Sequence, residues 1–298
     1  MGYPNNRLPT RRSIKLLAPA KINIGLLITK KLPNGYHEIE TLMVPIKLFD
    51  ILQIEVTKSG VVLETDSNQI PPGNDNLVVK AAKYFLDAAR INLGVKVFLK
   101  KRIPVGAGLG GGSSDAAYTL LGLNKIFNSP LGFPVLKEIA NTVGKDVVFF
   151  LYQKPALVMG SGEIVKTVNI PSMDLALYVP PYQISTKWAY NEFDQKLLLI
   201  QSLNKLLTER DFYFKLICKK LKRKDFTDIC ALVINNFEPI VFMRYPDLLS
   251  IKLQLLANGA YWAGLSGSGS CVYAIINTKI KQELRSKINK ELIFTETM

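Results

Sequence analysis

Residues Ile103 to Asn124 read I-P-V-G-A-G-L-G-G-G-S-S-D-A-A-Y-T-L-L-G-L-N, with five glycines between Gly106 and Gly112. Glycine tolerates positive φ, so such a run can turn successive N–H groups the same way. Ser113 or Ser114 is placed to cap a following helix, and Ala116, Ala117, Leu120 and Leu121 recur as one helical face. Val95 to Lys100 alternates like a strand. Strand, glycine loop and helix N-terminus together make an anion cradle, and phosphate is the usual anion.

Two common cradles are excluded. Gly106, Gly108 and Gly111 satisfy G-x-G-x-x-G, but the dinucleotide fingerprint needs a second parallel strand ending in an acidic residue about 20 residues on. Here Ser129-Pro130 and Gly132 lead into another helical pattern, Val135 to Val143. No G-x-x-x-x-G-K-[ST] occurs, so this is not the common P-loop. A flexible surface loop is the blander alternative, although a linker does not need three consecutive glycines against a helix.

The chain has 298 residues, 48% of them hydrophobic, enough for one large or two ordinary domains. No apolar run approaches the ~20 residues of a membrane span. Met1 to Lys15 is polar and basic without an apolar core, so no secretory signal is expected. Cys218, Cys230 and Cys271 are odd in number and lack C-x-x-C spacing, which suits the cytoplasm. A single histidine, His37, excludes His-rich metal sites. The formal charge of +14 fits nucleic acid or polyanionic small substrates. Lys219 to Lys224 reads as the solvated face of an amphipathic helix, Asp211 to Leu221. Lys100-Lys101-Arg102, just before the glycine loop, is expected beside any bound phosphate.

Lys15 to Ala18 and Ile22 to Thr29 read as strands interrupted by Pro19-Ala20-Lys21. Asn34-Gly35 signals a hairpin turn into Tyr36 to Val44, followed by strands at Ile51 to Val56 and Val61 to Glu64. Asn74-Asp75-Asn76 caps a helix from Leu77 to Ile91. Ala156 to Met159 and Ile164 to Val168 form a hairpin around Gly160-Ser161-Gly162, and Leu175 to Val179 is a strand before Pro180-Pro181. Trp188 to Leu256 is mostly helical in pattern. A second glycine loop, Gly264 to Ser270, precedes a strand at Cys271 to Ile276 and a helix at Lys279 to Ile288.

Phosphoryl transfer needs a donor cradle, charge neutralisation and a group that deprotonates the acceptor. Lys21 in its apolar setting and Asp146 at the start of V-V-F-F-L are the candidates. If adjacent, the lysine keeps the aspartate ionised and polarises the hydroxyl. A surface lysine and a helix cap are their plain alternatives. Asp115 brings negative charge near the loop and should point away from phosphate.

Pro104 to Ala117 resembles the second motif of the GHMP kinases, Ala18 to Leu26 (A-P-A-K-I-N-I-G-L) the first, and Gly264 to Tyr273 the third. Asn34 to Glu38, Asp75 to Leu77, Gly144 to Val147 and Gly160 to Glu163 extend the likeness, in order, over nearly the whole chain. The resemblance implies an α+β chain with two domains. Residues 1–160 would form a ribosomal-protein-S5-like nucleotide-binding half, and residues 161–298 a ferredoxin-like half. It implies Lys21 and Asp146 as catalytic residues. It implies ATP contacts from Asn76 and from Pro104, Val105, Gly106, Ala107, Gly108, Leu109, Gly110, Gly111, Gly112, Ser113 and Ser114.

Asn23, Tyr36, His37, Thr186 and Tyr190 would contact a cytidine diphosphate sugar-alcohol. Stacking on aromatic rings at ~1–3 kcal/mol per base suits a pyrimidine there. ATP and Mg2+ are the implied cofactors, with no metal ligand assigned. No nucleic acid or membrane partner is expected, and the resemblance leaves the oligomeric state open. Lys145 and Val148 depart from the pattern, which has a small residue and a proline at those positions. Another GHMP kinase lacking a cytosine pocket and an RNA-binding protein are the competing readings. The basic runs carry neither interleaved aromatics nor an RNP-like motif.

Overall fold

The computed structural model describes residue 9 and residues 11–196 and 210–298. The stretch 197–209 of the expected helical region lies outside them. The chain forms two compact units that are interleaved along the sequence. The first holds residues 1–20, 48–105 and 110–153, the second residues 21–47, 106–109 and 154–298.

Two long strands run through both sets of residues, β1 (Ser13–Lys31) and β2 (His37–Thr57). Both are continuous where the sequence suggested breaks at Pro19-Ala20-Lys21 and after Val44. β1 pairs with β2 through the expected turn, where Gly35 has φ +83° and Leu32 N–H donates to Tyr36 O.

In the first unit, β2 from Ile51 to Thr57 pairs antiparallel with β4 (Gly94–Lys100), and β3 (Val61–Thr65) pairs parallel with β4. Four helices complete it: α1 (Leu77–Ala89), α2 (Gly111–Ile126), α3 (Phe133–Val143) and α4 (Val147–Leu151). α1 packs on α2 and α3 through Val78, Ala81, Ala82 and Phe85. Asn76 caps α1 by accepting from Val78 N–H at 2.8 Å.

In the second unit, β2 from Ile39 to Met43 pairs antiparallel with β5 (Ala156–Gly160), which pairs with β6 (Ile164–Thr167). A separate antiparallel sheet runs β10-β7-β9-β8, from β7 (Asp174–Tyr178), β8 (Trp262–Leu265), β9 (Val272–Ile276) and β10 (Ile293–Glu296). The helices are α5 (Thr186–Gln195), α6 (Arg210–Lys222), α7 (Ile229–Leu232), α8 (Glu238–Arg244), α9 (Pro246–Ala257) and α10 (Lys281–Lys287). The apolar faces of α5, α8, α9 and α10 meet the sheet in a core that includes Phe193, Phe237, Leu248, Leu265 and Val272. Lys219, Lys222, Arg223 and Lys224 are exposed, and Lys220 pairs with Asp225 at 3.0 Å, so this basic run is a solvated face.

Candidate active site

In the second unit, Lys21 lies on β1 with 4% of its surface exposed, and its ammonium donates to Asn23 Oδ1 at 2.5 Å. Side chains two apart on a strand share a face. Asn23 is held in turn by donating to Thr41 Oγ1 at 2.9 Å, while Thr41 donates to Gly25 O at 2.6 Å. Part of the glycine loop closes on this point. Lys21 N–H donates to Leu109 O at 2.9 Å, Cys271 N–H to Ala107 O at 3.0 Å, and Ser266 Oγ to Gly108 O at 2.9 Å.

Gly108 has φ +75°, and a β-carbon there would stand 2.1 Å from Ser266 O, so no other residue fits without backbone movement. At Gly267 a β-carbon would meet Asn23 Oδ1 at 3.2 Å and Lys21 Nζ at 3.5 Å. The third motif therefore rests directly on the first. Asn235 fixes it by donating to Leu265 O and Gly267 O at 2.9 and 2.8 Å.

In the first unit, α2 begins at Gly111, and Gly110, with φ +71°, sits at its cap with no side-chain cap bond. Ser113 and Ser114 therefore lie inside the first turn and do not cap it. A left-handed glycine has already turned the chain, and Gly110 O accepts from Ser114 N–H at 2.9 Å. Ser114 is fully buried, and its Oγ has no hydrogen-bond partner.

The cation before the loop lies beside Gly111, where an added β-carbon would stand 3.1 Å from Lys101 Nζ, and it also has carboxylate partners. Lys101 Nζ is enclosed between Asp50 and Asp115, its side chain 8% exposed, bonding Asp50 Oδ2 and Asp115 Oδ2, the latter at 2.9 Å. Burial works against its charge, but the two carboxylates outweigh it and raise its pKa. Asp50 Oδ1 also accepts from the N–H groups of Arg102 and Ile103, at 2.5 and 2.9 Å. Lys101 is thus a buried internal cation whose charge is already met. Burial, reinforced by the charge of Asp50, pushes Asp115 up to about 8 against the pull of Lys101. The acid is then largely protonated at pH 7, which removes the awkward negative charge.

Asp146 precedes α4 and makes no side-chain cap bond to it. β-carbons added at Gly112 and Gly144 would meet Leu77 Cδ1 at 3.9 and 4.0 Å. The starts of α1 and α2 and the turn carrying Asp146 thus gather around Leu77. Asn76 is occupied by its cap bond and by donating to Pro71 O at 2.9 Å.

His37 opens β2 and is 8% exposed, whereas Tyr36 is 54% exposed. The imidazole stacks on Tyr190 with centroids 4.6 Å apart and planes at 18°. Its Nε2 meets Asp194 Oδ1 at 2.7 Å. Tyr190 and Asp194 are four residues apart on α5, so they share a helix face. Thr186, the first residue of α5, shares a hydrogen bond with Ser268 at 3.0 Å. Thr41 and Asp194 escape sequence reasoning, since no local pattern ties a residue of α5 to a histidine 157 positions earlier.

Among the described residues no group of three His, Cys, Asp or Glu could hold a metal ion. No helix among those residues is long and apolar enough to cross a membrane.

Family models for the GHMP kinases N terminal domain and the GHMP kinases C terminal match residues 76–154 and 217–293. The chain belongs to the GHMP kinases, with their two-domain α+β fold. It is 36% identical over 266 residues to the 4-diphosphocytidyl-2-C-methyl-D-erythritol kinase of Geobacter metallireducens, covering 89% of each chain. To the protein of the same name from Chlorobium phaeobacteroides it is 39% identical, over 95% of this chain and 94% of that one. A solved 4-(cytidine 5'-diphospho)-2C-methyl-D-erythritol kinase superposes with a TM-score of 0.77 at 30% identity, covering 95% of this chain and 99% of that chain. The homoserine kinase of Cytophaga hutchinsonii, at 18% identity, TM-score 0.75 and coverage of 100% and 97%, shares the fold alone.

Proposed function

We propose that this chain phosphorylates the 2-hydroxyl of 4-diphosphocytidyl-2-C-methyl-D-erythritol with ATP, in the non-mevalonate route to isoprenoid precursors. The observation that carries this reading is the near full-length likeness, at 36 and 39% identity, to relatives of that name. The roles of individual residues are our assignment. Asp146, uncommitted to capping α4, takes the proton of the acceptor hydroxyl. The hydroxyl oxygen then bonds the γ-phosphorus as the bond to the β,γ-bridging oxygen breaks, and ADP leaves.

Lys21, steadied by Asn23, supplies positive charge to the reacting oxygens. The amides from Gly106 to Ser113 receive the phosphates. Magnesium carried on the ATP phosphates would offset part of their charge. Tyr36, His37, Thr186 and Tyr190 receive the cytidine. We place the enzyme in the cytoplasm, in keeping with its unpaired cysteines.

The test is ADP release by purified protein given ATP and this substrate, beside homoserine and mevalonate. Turnover confined to the cytidyl substrate supports the reading. Turnover of homoserine or mevalonate, with indifference to cytidine diphosphate, replaces it with another GHMP kinase activity. Salt-sensitive RNA binding without ATP turnover would replace it with a nucleic-acid role.

A further inference from the structure

His37 can read a base only if one of its ring nitrogens is committed and the other is left over. A neutral imidazole has one donor and one acceptor nitrogen, and a partner at one fixes the other. Nε2 lies 2.7 Å from Asp194 Oδ1. The second oxygen of that carboxylate accepts from Lys31 Nζ at 2.5 Å. Burial works to raise the pKa of Asp194, but the hydrogen bonds from Lys31 and His37 outweigh it and hold the carboxyl below its ordinary value. An ionised carboxylate only accepts, so Nε2 must carry the hydrogen. Nδ1 has no hydrogen-bond partner among the described residues. The ring cannot swing away easily, since Tyr190 covers one face and the edge of Phe193 lies 6.3 Å off.

We propose that Asp194 is a positioning residue for specificity: it locks His37 in the Nε2–H tautomer, so that Nδ1 accepts from the ligand and selects a 4-aminopyrimidine over a 4-oxopyrimidine. Cytosine presents an amino donor where uracil presents a carbonyl. A lone-pair nitrogen satisfies the first and repels the second. The inference rests on the cytidine reading above and adds the device that enforces it. Lys31 contributes by holding the carboxylate ionised and aimed.

Because His37 is the only histidine, the nitrogen-15 spectrum of histidine-labelled full-length protein reports its tautomer without ambiguity. Wild type should show a protonated Nε2 and a bare Nδ1. Asp194→Ala, and Asp194→Asn should the first not fold, should shift toward a mixed tautomer. Asp194→Glu should restore part of the pattern. By calorimetry, the preference for cytidine diphosphate over uridine diphosphate should fall about tenfold in Asp194→Ala, with ATP affinity unchanged. KM for the cytidyl substrate should rise while kcat stays within a few-fold.

A wild-type ring that is Nδ1-protonated or doubly protonated overturns the proposal. So does an Asp194→Ala protein that keeps both tautomer and preference. If neither diphosphate binds wild type although the tautomer is as expected, the cytidine reading and the ligand named here both fall. The spectrum then still identifies what Asp194 does to His37.

Discussion

Lys21 and Lys101 are both buried lysines beside glycine-rich chain, and different side chains hold them. Lys101 lies between two carboxylates, one of them also holding two backbone amides. Lys21 donates to a neutral amide, Asn23 Oδ1, and has the Gly267 backbone against it. A buried ion meets a large desolvation cost unless partners offset it. At Lys101 the fold supplies those partners, and the cation fastens the residue after β4 to α2 through Asp115. Lys21 is steadied by an amide oxygen two residues on along its own strand. Position near a phosphate motif therefore does not by itself say what a lysine does; its tertiary partners have to be known.

The largest effect that would test this contrast is on turnover. Asp146→Asn should lower kcat about 10²–10⁴-fold in an ADP-release assay, with little change in the denaturation midpoint. Full activity in the variant removes Asp146 from the base role. Lys21→Met should likewise fall mainly in kcat. Lys101→Met should instead lose stability, by about 3–5 kcal/mol, because it leaves the buried Asp50 without its cation. Urea titration measures this, and adding Asp50→Asn should restore part of the loss. If Lys101→Met folds as wild type but does not bind ATP, Lys101 is not the structural cation described here.

A smaller effect belongs to the loop. Gly108→Ala puts a side chain at φ +75° and into Ser266 O. The expected cost is about 1–3 kcal/mol, with weaker ATP binding by calorimetry. Gly112→Ala is the control for stability alone, since a β-carbon there meets only Leu77 Cδ1 at 3.9 Å within the fold.

The same contrast explains what could be read from the sequence. The strand-loop-helix around Gly106 to Ser114, the Asn76 cap and the Asn34-Gly35 turn were legible, because each rests on local backbone chemistry. The continuity of β1 and β2 was not, since prolines at 19 and 45 look like breaks until a partner strand supports the chain across them. Four-residue strands such as β8 and β10 carry too little alternation to register. Serine favours cap positions, which points to Ser113 or Ser114, but a left-handed Gly110 occupies the cap. The ion pairs of Lys101 are not legible locally, because its carboxylates lie 51 and 14 residues away. Asp194 escaped for the same reason. Partners set the role of a charged group, and tertiary partners are invisible in a local pattern.

The smallest expected effect concerns the acid beside Lys101. Asp115 is pushed up to about 8 by burial and by Asp50, against Lys101. In the unfolded chain an aspartate titrates near ~3.9. Between these values the folded state holds more protons than the unfolded state, so stability falls as pH rises. The contribution is complete below about 4 and is lost through the window up to about 8. One group sets a limit of ~1.4 kcal/mol per pH unit on the slope. Urea midpoints at pH 6, 7 and 8 should therefore decline in wild type. Asp115→Asn, which keeps the shape and removes the titration, should flatten that decline. An unchanged slope in the variant would mean that Asp115 is ionised at neutral pH, and that Lys101 is shared by two full negative charges.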